Sequence, residues 1–526
     1  MPTAFKSLLA SLFLAVALTG CASSTVRQIT ILHTNDMHGR HLPIRVASSN
    51  ATAQTGDPGR TEQDFGRAGM IGGFAHLAGA VETVRRQKGA ENVVLVDGGD
   101  TFGDDLLGNI TKGEAMIRLM NAVGYDLMAL GNHDFDYGVD RTAELQRIAQ
   151  FPLRGANVLA SDGAPFGGAP YLIKEVGGVR LAILTLGYHN TDRTGSPKNV
   201  AGLSFTNGIE VARRIVPMLR QKADVVVVLS HQGSKVDREM AEQVGEIDLI
   251  IAAHSHDKMS PPEEVNGVWI AQAMSDGTML GQLTLTVDES GLIGVDGKLI
   301  ELWNDQVKPD PTLTRMIAEL RAPHRDRLET VLATANARIG RRYKSESPFD
   351  TLAGEIMREA SGAEIAFLPG VGYGVTIEPG PITREQLYAL LPHPSKMVTM
   401  TLSGQQVMEI LEQSASNQKA RDPMKGIGGL IQTSGLAFTV DLNRPEGQRV
   451  LNVLVSNRPL SPERSYKIVT NAGMRDGIHN YTSFARGRDV KEDSRSVTEV
   501  VENGFRKRRA IDLPALGRVK LIKASE

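Results

Sequence analysis

Five apolar runs in the first half of the chain, four of them with β-branched residues, each end in a short loop that carries Asp, Asn or His, most of them beside glycine. Ile29–Leu32 leads into Asn35-Asp36-Met37-His38-Gly39, Val93–Val96 into Asp97-Gly98-Gly99-Asp100, and Leu127–Leu130 into Gly131-Asn132-His133-Asp134. Val225–Leu229 leads into Ser230-His231-Gln232-Gly233, and Ile247–Ala252 into Ala253-His254-Ser255-His256. Together with Val179–Leu186 such runs read as buried strands of an α/β sheet, and the helical patterns over Ile71–Gln87, Ala115–Val123 and Ile209–Arg220 cover it. Loops at the carboxyl ends of such strands gather at one edge, where ligands bind. The order of motifs therefore predicts that Asp36, His38, Asp100, Asn132, His231, His254 and His256 meet.

Seven oxygen and nitrogen donors exceed one tetrahedral zinc and suit two divalent ions bridged by a shared Asp. Two cations held ~3.5–4 Å apart suit in-line displacement at phosphorus, so the chemistry that the pattern predicts is hydrolysis of a phosphate ester. Asn132 would add a neutral ligand that limits negative charge facing an anionic substrate. His133 follows it, and Asp136 three residues later can orient and charge that imidazole, which then stabilises developing charge or protonates the leaving oxygen. His33, His76, His189, His324 and His393 have no such setting and read as structural. His41 is close in sequence and stays undecided.

The other boundaries come from composition. The 526 residues contain one cysteine, Cys21, which excludes an internal disulfide framework and a Cys-rich zinc finger. Basic and acidic residues number 58 and 60, a net charge of -2, which gives no global field for a nucleic-acid polymer. The Arg506–Arg509 run reads as a solvated helix end. Near the start, Leu8–Ala17 is an apolar run of export-signal length, too short to span a bilayer. Leu18-Thr19-Gly20-Cys21 resembles the bacterial lipobox, which implies removal of residues 1–20, acylation of Cys21, and membrane anchoring outside the cytoplasm, facing the periplasm or the exterior. The expected organisation is then a tether over 21–28, a first domain over 29–305, a linking helix within 306–342 that runs from Asp310 to about Arg338, and a second domain over 343–526. Residues 43–66 read as a surface insertion.

In their order, Asn35-Asp36-x-His38-Gly39, Gly99-Asp100, Gly131-Asn132-His133-Asp134-Phe135-Asp136-x-Gly138, Ser230-His231-x-Gly233 and His254-Ser255-His256 resemble the calcineurin-like metallophosphoesterases and, within them, the exported 5′-nucleotidases. The resemblance covers nearly the whole mature chain. It implies an α/β fold: a sheet sandwich flanked by helices, then a smaller α/β domain that binds substrate. It also implies two divalent ions, zinc, manganese or similar. Asp36, His38, Asp100 and His256 would hold one, and Asp100, Asn132, His231 and His254 the other, with His133 and Asp136 as the catalytic pair. The substrate would be a nucleotide or another small phosphate ester. Ala253 stands where the family usually has Gly.

The second domain departs further. Thr470-Asn471, Gly477, Tyr481 and Phe484 fall where the family has Thr-Asn, a Gly-rich turn and a base-stacking aromatic, so Tyr481 and Phe484 are the expected substrate contacts, with core packing as the alternative for Tyr481. The turn itself reads Gly477-Ile478-His479-Asn480-Tyr481. The loop 365–374 has no arginine where the family places its phosphate-binding one, Leu430 replaces a common aromatic, and Arg384 or Arg475 could fill the gap. The Phe367-Leu368-Pro369-Gly370 stretch is closer to the sulfur-oxidation thiosulfohydrolases, relatives that cleave sulfate from a carrier-bound cysteine but do not keep the Asn-His-Asp block found here. Three functions are thus expected in descending order: an exported two-metal phosphohydrolase, a thiosulfohydrolase-like enzyme, and a non-enzymatic surface-binding lipoprotein.

Overall fold

The computed structural model describes residues 26–46, 65–342, 344–371, 375–420 and 422–522. Cys21, its export segment, and most of the 43–66 insertion lie outside them. The Val225–Ser230 strand is apolar until its last residue and buried throughout, because it is the centre of a sheet packed on both faces. Its even-numbered residues Val226 and Val228 face the helices Gly208–Arg220 and Ser234–Gln243, while Val225, Val227 and Leu229 face a second sheet. That second sheet alternates in the same way. Ile29, Ile31, Val94 and Val96 meet the first sheet, and Leu32 and Leu95 face the helices Phe74–Lys88 and Glu114–Val123.

The result is a four-layer sandwich of two six-stranded sheets between helices. In one sheet Arg27–Thr34, Val93–Asp97 and Leu127–Ala129 run parallel, and in the other Val179–Leu186, Val225–Ser230 and Leu249–Ala252 do, with antiparallel strands at three of the four edges. Parallel neighbours end on the same side, so all five motif loops emerge at one edge.

The linking segment differs from expectation. Asp310 caps a helix over Pro311–Arg321 by accepting from the Thr312 and Leu313 amides, but Pro323 interrupts it. After a short helix over Arg325–Glu329, Val331–Ala335 is a strand paired with Gly380–Thr383. A short run with Val331 and Thr334 exposed and Leu332, Ala333 and Ala335 buried has taken the place of the helix expected as far as Arg338.

The C-terminal part holds a five-stranded sheet in the order Gln432–Ser434, Ile365–Leu368, Ser465–Asn471, Lys396–Ser403, Arg488–Ser496. The helices Pro348–Ser361 and Val497–Arg508 pack on one face, and Gly404–Gln418 with a four-stranded sheet on the other. Buried contacts join it to the sandwich: Arg40 donates to the Ala389 carbonyl at 3.1 Å, and Arg321 pairs with Glu385. No helix among the described residues is long and apolar enough to cross a membrane.

Candidate metal centre

Six of the seven expected ligands converge, and the seventh, Asn132, lines the same cleft. Asp36, His38 and His256 form one group and Asp100, His231 and His254 a second, the donor atoms within each lying within 4.8 Å of one another. His38 Nε2 is 3.1 Å from His256 Nε2, Asp36 Oδ1 is 3.3 Å from His256 Nε2, and Asp100 Oδ2 is 3.1 Å from His231 Nε2. Two carboxylates and four imidazoles crowded at such distances form a donor set for cations.

The opposite ring nitrogens are already committed. His38 Nδ1 lies 2.8 Å from Asp104 Oδ2, and His231 Nδ1 lies 2.7 Å from the Gly98 carbonyl. An imidazole that donates from Nδ1 to an oxygen presents Nε2 as a lone pair, the arrangement of a metal-ligating histidine. Asn132 Oδ1 is buried without any hydrogen-bond partner, and His231 Nε2 has the Asp100 carboxylate beside it at 3.1 Å but makes no aligned hydrogen bond. A buried acceptor left unmatched costs about 1–3 kcal/mol, and a divalent cation would satisfy both atoms. The residues present therefore fit divalent ions.

Backbone geometry carries the same message. Asp36, His38, Asp100, His254 and His256 all have φ between 47° and 71°, left-handed values that side-chain-bearing residues rarely adopt. Such strain costs on the order of 1–3 kcal/mol per residue and collects at functional sites. Glycines make room for it: a Cβ on Gly131 would lie 2.1 Å from Asp100 Oδ1. Ala253 is accommodated because its Cβ faces Gly98, where a second Cβ would sit only 2.7 Å away.

Charge is distributed unevenly. Burial opposes ionisation of Asp36, yet the neighbouring His256 and His231 bring its carboxyl down to about 2. His231 moves the other way, up to about 10, since Asp100 and Asp36 outweigh its own burial. His254 is pushed down to about 3 by burial and by His231, and is the neutral imidazole of the group. Beside them His133 Nδ1 is 2.9 Å from Asp136 Oδ2. Burial disfavours a charged His133, but Asp104, Asp136 and Asp100 hold its pKa well above the ordinary value.

A cleft of about 1060 Å³ opens over this centre, lined from the sandwich by Asn132, His133 and Asp136 and from the C-terminal part by Pro369, Gly370, His393 and His479. The two halves match different families. Residues 29–258 match the calcineurin-like phosphoesterases, and residues 327–486 match the 5′-nucleotidase C-terminal domain. The chain belongs to the two-domain 5′-nucleotidase family. It is a metal-dependent phosphoester hydrolase. A 5′-nucleotidase precursor from Thermus thermophilus superposes with a TM-score of 0.83 at 26% identity, covering 95% of this chain and all of that one, 100%. A sulfate thiohydrolase, SoxB, from the same organism gives 0.84 at 26%, covering 94% and 97%. The trifunctional nucleotide phosphoesterase YfkN of Bacillus subtilis is 28% identical over 454 residues, 76% of this chain, which spans only 30% of that relative.

Several expectations for this 5′-nucleotidase-family chain need correction. Tyr481 and Phe484 are buried, at 1% and 0% exposure, in the core beneath the five-stranded sheet, Phe484 meeting Phe367 edge-on at 5.3 Å. Neither lines the cleft, so both serve packing in this arrangement. Arg384 is held by Glu502 away from the cleft, whereas Arg475 lines it, paired with Asp476 and Glu492. Arg341 also lines the cleft, locked on Asp350 at 2.5 Å. His393, read as structural, stands against His133 inside the cleft, and His189 lines it too. His41 is buried against Asp105 at 3.0 Å and Arg321 at 2.9 Å, at the contact between the two parts.

Residues the motif reading missed hold the loops in place. Asp134 accepts from the amides of Asp100, Thr101 and Gly131 at 2.8–2.9 Å, tying two ligand loops together. Its signal was present in the Asn-His-Asp block. Asp104 left only a weak one, an acidic pair four residues past Asp100.

Proposed function

We propose that the chain is an exported phosphohydrolase that uses two divalent ions to release phosphate from 5′-nucleotides or related monoesters. The observation that carries this reading is the convergence of six donors, five of them on strained backbone, into two groups beside the His133–Asp136 pair, with Asn132 lining the same cleft. Asp36, His38 and His256 would hold one ion, Asn132, His231 and His254 the other, and Asp100 would serve both. Bound there, two divalent ions supply Lewis acidity that activates water and neutralises the phosphoryl oxygens.

The chain's own residues do the rest. Asp136 accepts from His133 Nδ1, so Nε2 is the nitrogen from which a proton reaches the leaving oxygen. The surrounding carboxylates keep that proton on the ring. The cleft walls confine the ester between the ion site and the C-terminal loops. Purified, metal-loaded protein assayed against nucleotides, sugar phosphates and a chromogenic ester should turn over at least one class, and His133→Ala should lower kcat for the alkyl esters, nucleotides and sugar phosphates, by about 10²–10⁴-fold. Absence of turnover on every ester would overturn the reading.

A second reading has its own support. The chain superposes on the sulfate thiohydrolase as well as on the nucleotidase, and the Pro369-Gly370-Val371 wall carries no arginine. Sulfate release from a thiosulfonated cysteine peptide, with no phosphate release from any ester, would select it. The anchoring of the enzyme through acylated Cys21 rests on the sequence.

A further inference from the structure

His393 lies 260 residues from His133 in sequence, yet the two rings stack at 5.0 Å with planes 9° apart. Its Nε2 is 2.8 Å from Asp104 Oδ1 and 3.2 Å from Asp136 Oδ2. Asp136 Oδ2 is the same oxygen that engages His133 Nδ1, and Asp104 uses its other oxygen on His38. Two imidazoles from opposite halves of the molecule therefore share two carboxylates.

The loop that delivers His393 is built for the purpose. Prolines flank it at 392 and 394. Asn109 of the sandwich donates to the Pro392 carbonyl at 2.7 Å, while Thr498 donates to the Leu391 carbonyl at 2.8 Å and the Val497 amide to the Ser395 carbonyl at 2.9 Å. The ring is thus fixed from both sides of the boundary, and its own carbonyl is used by the Ser395 amide.

We propose that His393 is a positioning residue for the hydrolysis: it holds Asp136 and Asp104 so that His133 keeps one orientation toward the leaving oxygen. The proposal rests on His133 as the proton donor. Without His393, Asp104 Oδ1 loses its 2.8 Å partner, and His133 Nδ1, now 3.8 Å from that oxygen, can swing between the two carboxylates. Misplacement of a donor by about 1 Å can lower a rate by up to ~10²-fold, and the loss falls on substrates that need the proton.

The test compares p-nitrophenyl phosphate, whose phenolate departs unprotonated, with an alkyl phosphate, whose alkoxide must be protonated, on full-length manganese-loaded protein. His393→Phe keeps a stacked ring and removes the donor. It should lower kcat for the alkyl ester about tenfold, with the aryl ester changed less than about twofold and with KM and metal content held. The double variant with His133→Ala should be no slower than His133→Ala alone, because one residue acts through the other. Equal slowing of both esters, or additive losses in the double variant, would overturn the proposal. Should His393→Phe not fold, His393→Gln, which keeps an N–H donor, enters the same double comparison: non-additive losses support the proposal and additive ones overturn it. If His133→Ala itself slows both esters alike, the proton-donor reading falls and this proposal with it; discrimination by His133→Ala without discrimination by the His393 variant sinks the proposal alone.

Discussion

All seven candidate ligands sit in a sandwich that supplies bracing from its own strands and loops, whereas the C-terminal half reaches the cleft with loops that also hold the two halves together. His231 leans on the Gly98 carbonyl, His38 on Asp104, and the Asp100 loop on Asp134, all within the first half. Asn132, the seventh, has an oxygen with no protein partner. Across the cleft, His393 and Arg341 are placed by contacts that cross or border the boundary. The difference separates two tasks. The candidate ligands are placed by short-range geometry in one half, and the facing wall is placed by the docking of the other.

That separation can be broken at several points. Asp100→Ala should be the most severe, lowering kcat/KM by more than about 10³-fold with loss of bound metal by elemental analysis, since it removes the ligand proposed to serve both ions. Arg341→Ala strands the Asp350 carboxylate in the second core and should destabilise the protein by about 3–5 kcal/mol in urea unfolding. If the halves are separable, it leaves metal content intact. Asp134→Asn should weaken metal affinity by about 10–100-fold while the fold persists, measured by titration with a competing chelator. Tyr481→Leu should leave KM for nucleotides within about twofold, because the ring is in the core; a KM rise of tenfold or more would restore the base-stacking role. The smallest effect is expected for Cys21→Ala, which should move the protein from the membrane fraction to the soluble one with turnover unchanged.

How legible each half was follows from the same contrast. Strand, glycine and ligand are neighbours in the chain, so the seven donors and the His133–Asp136 pair could be read locally, and the strain of their backbone was foreshadowed by the glycines around them. His393 could not be found that way. Its partners lie far off in sequence, and only the docking of the two parts brings them together. Tyr481 and Phe484 are buried in the core here, and an aromatic destined for a core and one destined for a ligand leave the same sequence trace. The linking helix was overextended because Val331-Leu332-Ala333 suits either periodicity, and Pro323 was given too little weight.

Asp104 touches His38 of the metal centre, approaches His133, and holds His393 from the far domain. In evolutionary terms this is a knot of epistasis. A change at any of the four residues alters the selective value of the other three, so a lineage can abandon the arrangement only by replacing them together, and intermediates that lose one are exposed to purifying selection.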